Sequence, residues 1–143
     1  MSKKVIWYLE MINKNEFKPK NLPKEAEVIK VGIPLPIINR FFYREVGKFW
    51  HWNDRAKWNI DKWNDWVKRD NLQTWILLYK GTPAGYFELE TREIEVEIAF
   101  FGLLPEFIQK GLGGGFLSAA IKNAWELEKT RVCVNTCSLD HRN

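Results

Sequence analysis

Four of the nine glycines in this 143-residue chain fall within five positions, at Gly111, Gly113, Gly114 and Gly115 in the stretch FFGLLPEFIQKGLGGGFL. Before them, TREIEVEIAFF alternates charged and apolar residues with period two, the pattern of a strand with one buried face. After them, FLSAAIKNAWELEK puts Phe116, Leu117, Ala120, Ile121, Ala124, Trp125 and Leu127 at helical spacing. Glycines between a strand and a helix start are neither a linker nor a C-cap. The first turn of a helix carries unpaired N–H groups and about half a positive charge, and residues without Cβ let an anion reach them. The chemistry on offer is phosphate binding. A Walker loop is excluded because no Lys-Ser or Lys-Thr follows the glycines. A dinucleotide fingerprint is excluded because Phe116 stands where the third glycine belongs and the region near Arg131 and Val132 is not acidic.

Carboxylates come next. Glu93, Glu95 and Glu97 alternate along the strand before the glycines. Glu97, flanked by Val96 and Ile98 and followed by Phe100 and Phe101, has the apolar surroundings that a general base working near neutral pH requires. The plain alternative is a solvated strand face. Histidines are scarce: His51 reads as structural, and His141 with Cys137 and Cys133 gives C-x₃-C-x₃-H, which lacks a fourth ligand and the usual short spacing, so no metal site is expected.

These residues must be positioned by elements legible in the same way. VIWYLEM reads as a strand, and NKNEFKPKNLPKEAE as a polar connection. EVIKVGIPLPI has strand-like residues and then two prolines that end regular structure before Asn39. NRFFYREVGKFW is helix-like, with Phe42, Val46 and Phe49 on one face. NIDKWNDWVKR is a second helix, with Asn59 as N-cap and Trp63, Trp66 and Val67 on one face. TWILLY and AGYFELE flank KGTP as a hairpin. RVCVNTC closes the order strand, helix, helix, three strands, helix, strand.

This pattern resembles the GNAT superfamily of acyl-CoA-dependent N-acyltransferases, whose signature is a strand, a splayed V-x-P-like segment and R/Q-x-x-G-x-G/A opening a helix. Leu103-Leu104-Pro105 stands at V-x-P and Ile108-Gln109-Lys110-Gly111-Leu112-Gly113 at the phosphate loop, with Ile108 in place of Arg or Gln. The resemblance implies an α/β fold with a mixed sheet in the order β-α-α-β-β-β-α-β. It also implies acetyl-CoA as co-substrate and a primary amine as acceptor. Main-chain groups of Phe101, Leu103 and Leu104 would meet the pantetheine arm. Those of Ile108, Gln109, Lys110, Gly111, Leu112, Gly113 and Gly114 would meet the pyrophosphate. Glu97 lies 14 residues before Gly111 (111 − 97), the spacing at which family members carry a strand glutamate as base. The tryptophan-rich segment FWHWNDRAKWNIDKWNDW lies where the superfamily covers its acceptor, which makes Trp50, Trp52 and Trp58 candidate acceptor-binding residues.

The superfamily continues past the strand after the phosphate-loop helix with one more helix and two strands. The single domain read over residues 1–143 is therefore expected to be incomplete at its C-terminal end. The helix that commonly carries a tyrosine as acid for the departing thiolate has no counterpart here, and the RVCVNTC strand, with Val132 and Val134, is expected to expose an edge on which a homodimer would form.

Composition limits the alternatives. A chain of this length buries roughly two thirds of its unfolded surface in one core. Its 45% hydrophobic and 28% charged residues are ordinary for a globular domain, but its eight tryptophans are not. The N-terminal apolar run is too short for a signal peptide, and no segment spans a bilayer. With reduced cysteines expected at Cys133 and Cys137, a cytoplasmic setting without membrane partners follows. Net charge +4 suits an anionic ligand, coenzyme A or nucleic acid. For a nucleic acid, Lys48, Trp50, Trp52, Arg55, Lys57 and Trp58 interleave cations with rings; Asp54, Asp61 and Asp65 cancel much of that field. A coenzyme A-binding protein without catalysis is the other alternative.

Overall fold

The computed structural model describes residues 6–11, 19–50, 52–53 and 55–137; of residues 6–11, 49–50 and 135–137 it describes the backbone alone. The expectations placed on His51, Asp54 and His141, and on the side chains of Trp50 and Cys137, lie outside the described residues.

Local chemistry sets most of the elements. Strands β3 (Leu72–Tyr79) and β4 (Thr82–Thr91) meet at Lys80 and Gly81, both left-handed at φ 52° and 79°, as a two-residue hairpin turn demands. Helix α1 (Pro36–Trp50) starts on a proline, whose missing N–H costs nothing at a first helical position. The second proline thus opens a helix where the sequence suggested only an end to regular structure. The buried face of α1 is Asn39, Phe42, Tyr43 and Val46. Helix α2 (Ile60–Val67) is capped as expected, Asn59 Oδ1 accepting from the Lys62 N–H at 2.9 Å.

Among the described residues six strands form one mixed sheet in the order β1-β6-β5-β4-β3-β2, with β1 at Ile6–Met11, β2 at Ala26–Lys30, β5 at Glu95–Leu103 and β6 at Arg131–Cys137. All pairs are antiparallel except β5–β6, which is joined by helix α3 (Gly113–Trp125) as a parallel crossover requires. The mixed α+β architecture agrees with expectation, with an additional strand, β2, ahead of the helices. One correction concerns β6. It is not an edge: β1 pairs along it from Ile6↔Cys137 to Met11↔Val132, and Val132 is buried. The exposed edge, and the homodimer expected on it, are displaced by the chain's own first strand.

Side-chain alternation divides the sheet into two faces. On one, Phe87, Leu89, Ile98 and Phe116 are fully buried between sheet and α3, each contributing about 1.5–3 kcal/mol by transfer from water. On the other, α1 and α2 cover Tyr86, Glu88 and Leu72. The connection after β1 crosses α3: the Lys20 N–H donates to Ser118 Oγ at 2.8 Å, and a Cβ on Gly115 would stand 2.8 Å from the Asn21 carbonyl oxygen.

Candidate active site

Halfway along β5 the strand changes phase. Its register with β4 passes from Glu88↔Ala99 to Tyr86↔Gly102, so Phe100 and Phe101 together oppose the single residue Phe87. This is a β-bulge, and Phe100 takes left-handed backbone at φ 53° to make it. The pairing of β5 with β6 ends at Ile98↔Val134. Beyond that point the two parallel strands part, which is the splay that the family resemblance implied. The Leu104 N–H points to β4, donating to the Ala84 carbonyl at 2.8 Å. By strand alternation Phe101 and Leu103 direct their main-chain groups the other way, into the gap beside β6. Leu104 does not join them, since its carbonyl also accepts from the Phe107 N–H at 2.9 Å.

From Leu104 the chain makes a 3₁₀ turn (Pro105–Phe107) and enters α3 through two left-handed residues, Gln109 (φ 71°) and Gly111 (φ 76°). The Ile108 N–H is drawn into that turn, donating to Pro105 O at 3.3 Å, so the loop's open donors begin after it. Leu112 caps α3 without a side-chain hydrogen bond, and the first turn holds no acidic residue. Because the first helical bond closes from the Phe116 N–H to Leu112 O, the N–H groups of Gly113, Gly114 and Gly115 lie ahead of it. The four glycines answer to different causes. Gly111 serves its backbone angle. Gly115 admits the backbone of Asn21 and Leu22, and Gly114 lies against the Lys20 stem. Among the described residues nothing stands within 4 Å of where a Cβ on Gly113 would lie, so no packing among them requires its bareness.

Glu97 is buried on the α1/α2 face, in register with Glu90 on one side and Cys133 on the other. Arg92, just before β5, gathers three carboxylates: Glu95 at 2.8 Å, Glu90 at 3.0 Å, and Glu97 through the same Nη2 as Glu90. Arg131 adds a second bond to Glu95 at 2.8 Å, and Arg69 one to Glu90 at 3.0 Å. The Arg92 hydrogen bond holds the Glu95 carboxyl below the usual carboxylate range. Glu93 does not share this face: β5 begins at Glu95, and Glu93 sits exposed in the preceding bend.

The tryptophans surround a cation of the chain itself. Arg55, 4% exposed, lies between rings, its Cζ 3.9 Å from the Phe100 centroid, 4.5 Å from Trp66, 4.7 Å from Trp58 and 5.2 Å from Trp63. It donates through both terminal nitrogens to Glu88, at 3.0 and 3.1 Å, while Asn39 and Trp66 donate to the same carboxylate at 2.8 and 2.9 Å. Nearby, burial first and Glu88 second push the Tyr86 phenol well above its ordinary range, so Tyr86 stays protonated at neutral pH. Trp52 packs against Phe100, Tyr43 and the bare face of Gly47. Trp58 and Trp66 also line an open groove of about 520 Å³ with Asp61, Lys62, Asp65 and Arg69. Sequence reading missed the Arg55–Glu88 pair. Its one signal is a glutamate inside AGYFELE, between Phe87 and Leu89, in a strand covered on both faces: a buried charge needs a partner.

The acetyltransferase (GNAT) family profile matches residues 37–143, from α1 through β6 and beyond. No curated protein matches. Several solved structures share the fold. A GCN5-related N-acetyltransferase from Kribbella flavida superposes at TM-score 0.63 and 14% identity over 94% of this chain, which spans 48% of that protein. The aminoglycoside acetyltransferase meta-AAC0020, from an uncultured soil metagenomic sample and in complex with trehalose, gives 0.66 at 10% identity, covering 82% of this chain and 81% of its own. The paia N-acetyltransferase of Thermoplasma acidophilum, in complex with coenzyme A, gives 0.56 at 19%, covering 72% and 74%.

Proposed function

The chain belongs to the acetyltransferase (GNAT) family, and on that premise we propose that it moves an acetyl group from acetyl-CoA to a primary amine. The observation that carries this reading is one continuous feature, a parted strand running into an uncapped, glycine-lined helix start. Gly111 and Gly113 stand in open space where a phosphate needs to approach, which fits coenzyme A. Gln109, Lys110, Gly111, Leu112, Gly113 and Gly114 present their backbone to the pyrophosphate, and Phe101 and Leu103 pair with the pantetheine arm as an added strand would.

Acyl transfer forms a bond from the amine nitrogen to the thioester carbon and breaks the carbon–sulfur bond. The ammonium form of the acceptor cannot attack. Glu97 takes its proton, with Arg92 sharing or releasing the carboxylate to allow it, and the second nitrogen proton leaves with the thiolate. A donor among the free main-chain groups of Phe101 and Leu103 steadies the oxyanion. The groove at Trp58 and Trp66, where Asp61 and Asp65 are balanced by Lys62 and Arg69, is the wall this reading assigns to the acceptor, and Trp52 supports the wall behind Phe100. Arg55, the cation that a nucleic-acid reading needed at the surface, is internal and paired.

Calorimetry with acetyl-CoA, followed by thiol release with a panel of primary amines, tests the proposal. Saturable binding and amine-dependent release are expected. Binding without release from any amine leaves a non-catalytic coenzyme A protein, and no binding overturns the reading.

A further inference from the structure

Phe100 is an unfavourable residue for its own backbone. Left-handed φ costs an L-residue with a bulky side chain about 1–2 kcal/mol, which is why such bulges favour glycine. Something must hold it there. Its ring is flanked edge-on by Tyr43 at 5.5 Å and Trp52 at 5.4 Å and covered by the Arg55 guanidinium at 3.9 Å. The guanidinium is fixed in turn by Glu88, and Glu88 is the β4 residue opposite Ala99, immediately beside the bulge. Strand β4, Arg55 and the bulge therefore close a short loop of contacts. The Tyr43 hydroxyl, accepting from the Arg55 N–H at 2.7 Å, ties α1 into it.

We infer that Arg55 and Glu88 are positioning residues for the co-substrate: Arg55 by stacking on Phe100, and Glu88 by fixing that guanidinium, hold the bulge that turns the main chain of Phe101 and Leu103 into the gap between β5 and β6. This deepens the proposed function and rests on it, because the gap matters only if an acyl-CoA arm enters it. Without the bulge, the period-two alternation of β5 would carry Phe100 to the α3 face and Phe101 to the α1 face, reversing every later residue. The planar bidentate guanidinium is what the site uses. An ammonium at the same place carries the charge without the fork or the flat face.

The test is a double-mutant cycle of Arg55→Lys and Phe100→Gly, with folding followed by circular dichroism, acetyl-CoA affinity by calorimetry, and amide exchange of residues 101–104 in the free protein. Arg55→Lys is expected to weaken acetyl-CoA binding about tenfold and to speed exchange at those amides, because a preorganised site becomes a fluctuating one. Phe100→Gly adopts the left-handed backbone without strain and is expected to stay within about threefold of the parent. Adding Arg55→Lys to it should then cost little more, a coupling that a purely structural arginine would not show. A folded Arg55→Lys protein with parental affinity and exchange overturns the inference, as do losses that simply multiply in the double variant. If Arg55→Lys does not fold, Glu88→Asp, which draws the guanidinium back by one methylene, carries the same expectations. If the parent protein binds no acetyl-CoA, the proposed function falls, and amide exchange alone still decides whether Arg55 holds the bulge.

Discussion

Two carboxylates on the same face of neighbouring strands are both paired with arginine, yet their surroundings differ. Glu88 is fully buried with a guanidinium whose side chain is 3% exposed, and it receives hydrogen bonds from three side chains. Glu97, 11% exposed at its side chain, is paired with Arg92, which is 41% exposed and divided among three glutamates. The first pair is sealed: removing either member strands a charge in the core. In the second, water reaches the cation, which suits the base proposed at Glu97. Burial of the partner cation separates the two carboxylates, although the residue type and the partner type are the same.

Neutralising each carboxylate should separate these roles. Glu97→Gln is expected to leave acetyl-CoA affinity intact while lowering turnover about 10²–10⁴-fold at neutral pH, with recovery as pH rises and more acceptor is already neutral. Full activity of that variant at pH 7 would remove the base from Glu97. Glu88→Gln should act on stability first, costing about 3–5 kcal/mol in denaturant unfolding because Arg55 is left without its counter-charge among the rings, and should weaken acetyl-CoA binding as Arg55→Lys does. A loss below about 1 kcal/mol would make the sealed pair no different from a surface one. Glu95→Gln should give the smallest effect, and a pH-dependent one. Since Arg92 holds the Glu95 carboxyl low, the stabilisation is present above the ordinary carboxylate range near pH ~4.3 and disappears as pH falls through the lower folded value. Parent and variant should differ by under about 1 kcal/mol at pH 6 and converge in acid. A constant difference across that range would mean that Glu95 contributes by packing alone.

What could be read from the chain beforehand was local. The Lys80-Gly81 turn, the Asn59 cap and the strand-to-helix passage at Gly111 each depend on a few adjacent residues. The reading failed where a remote partner decides. Nothing near Val132 announces that Met11 will lie beside it, and nothing in FWHWNDRAKWNIDKWNDW says that the rings enclose Arg55, because its counter-charge is 33 positions away (88 − 55). Phe100 hides the bulge for a different reason: its local preference opposes the backbone it adopts. The glycine run was half read. An external ligand is the explanation the sequence suggests for Gly111, Gly113 and Gly114, whereas the segment Lys20–Leu22 packs against Gly114 and Gly115.

Two helix starts, one capped by a side chain and one not, supply the most direct test. At α2, Asn59 accepts from the first turn and Asp61 follows within it; at α3, no side chain does either. Gly113→Asp gives α3 an internal acid at a site where a Cβ meets nothing within 4 Å. If that helix start is the pyrophosphate site, acetyl-CoA binding measured by calorimetry should weaken by one or more charge-assisted hydrogen bonds of about 1.5–3 kcal/mol each. The melting temperature should hold or rise, because glycine is replaced and the helix dipole is answered. Parental affinity in the folded variant would contradict the cradle, and with it the account of this chain as an acetyl-CoA-dependent enzyme.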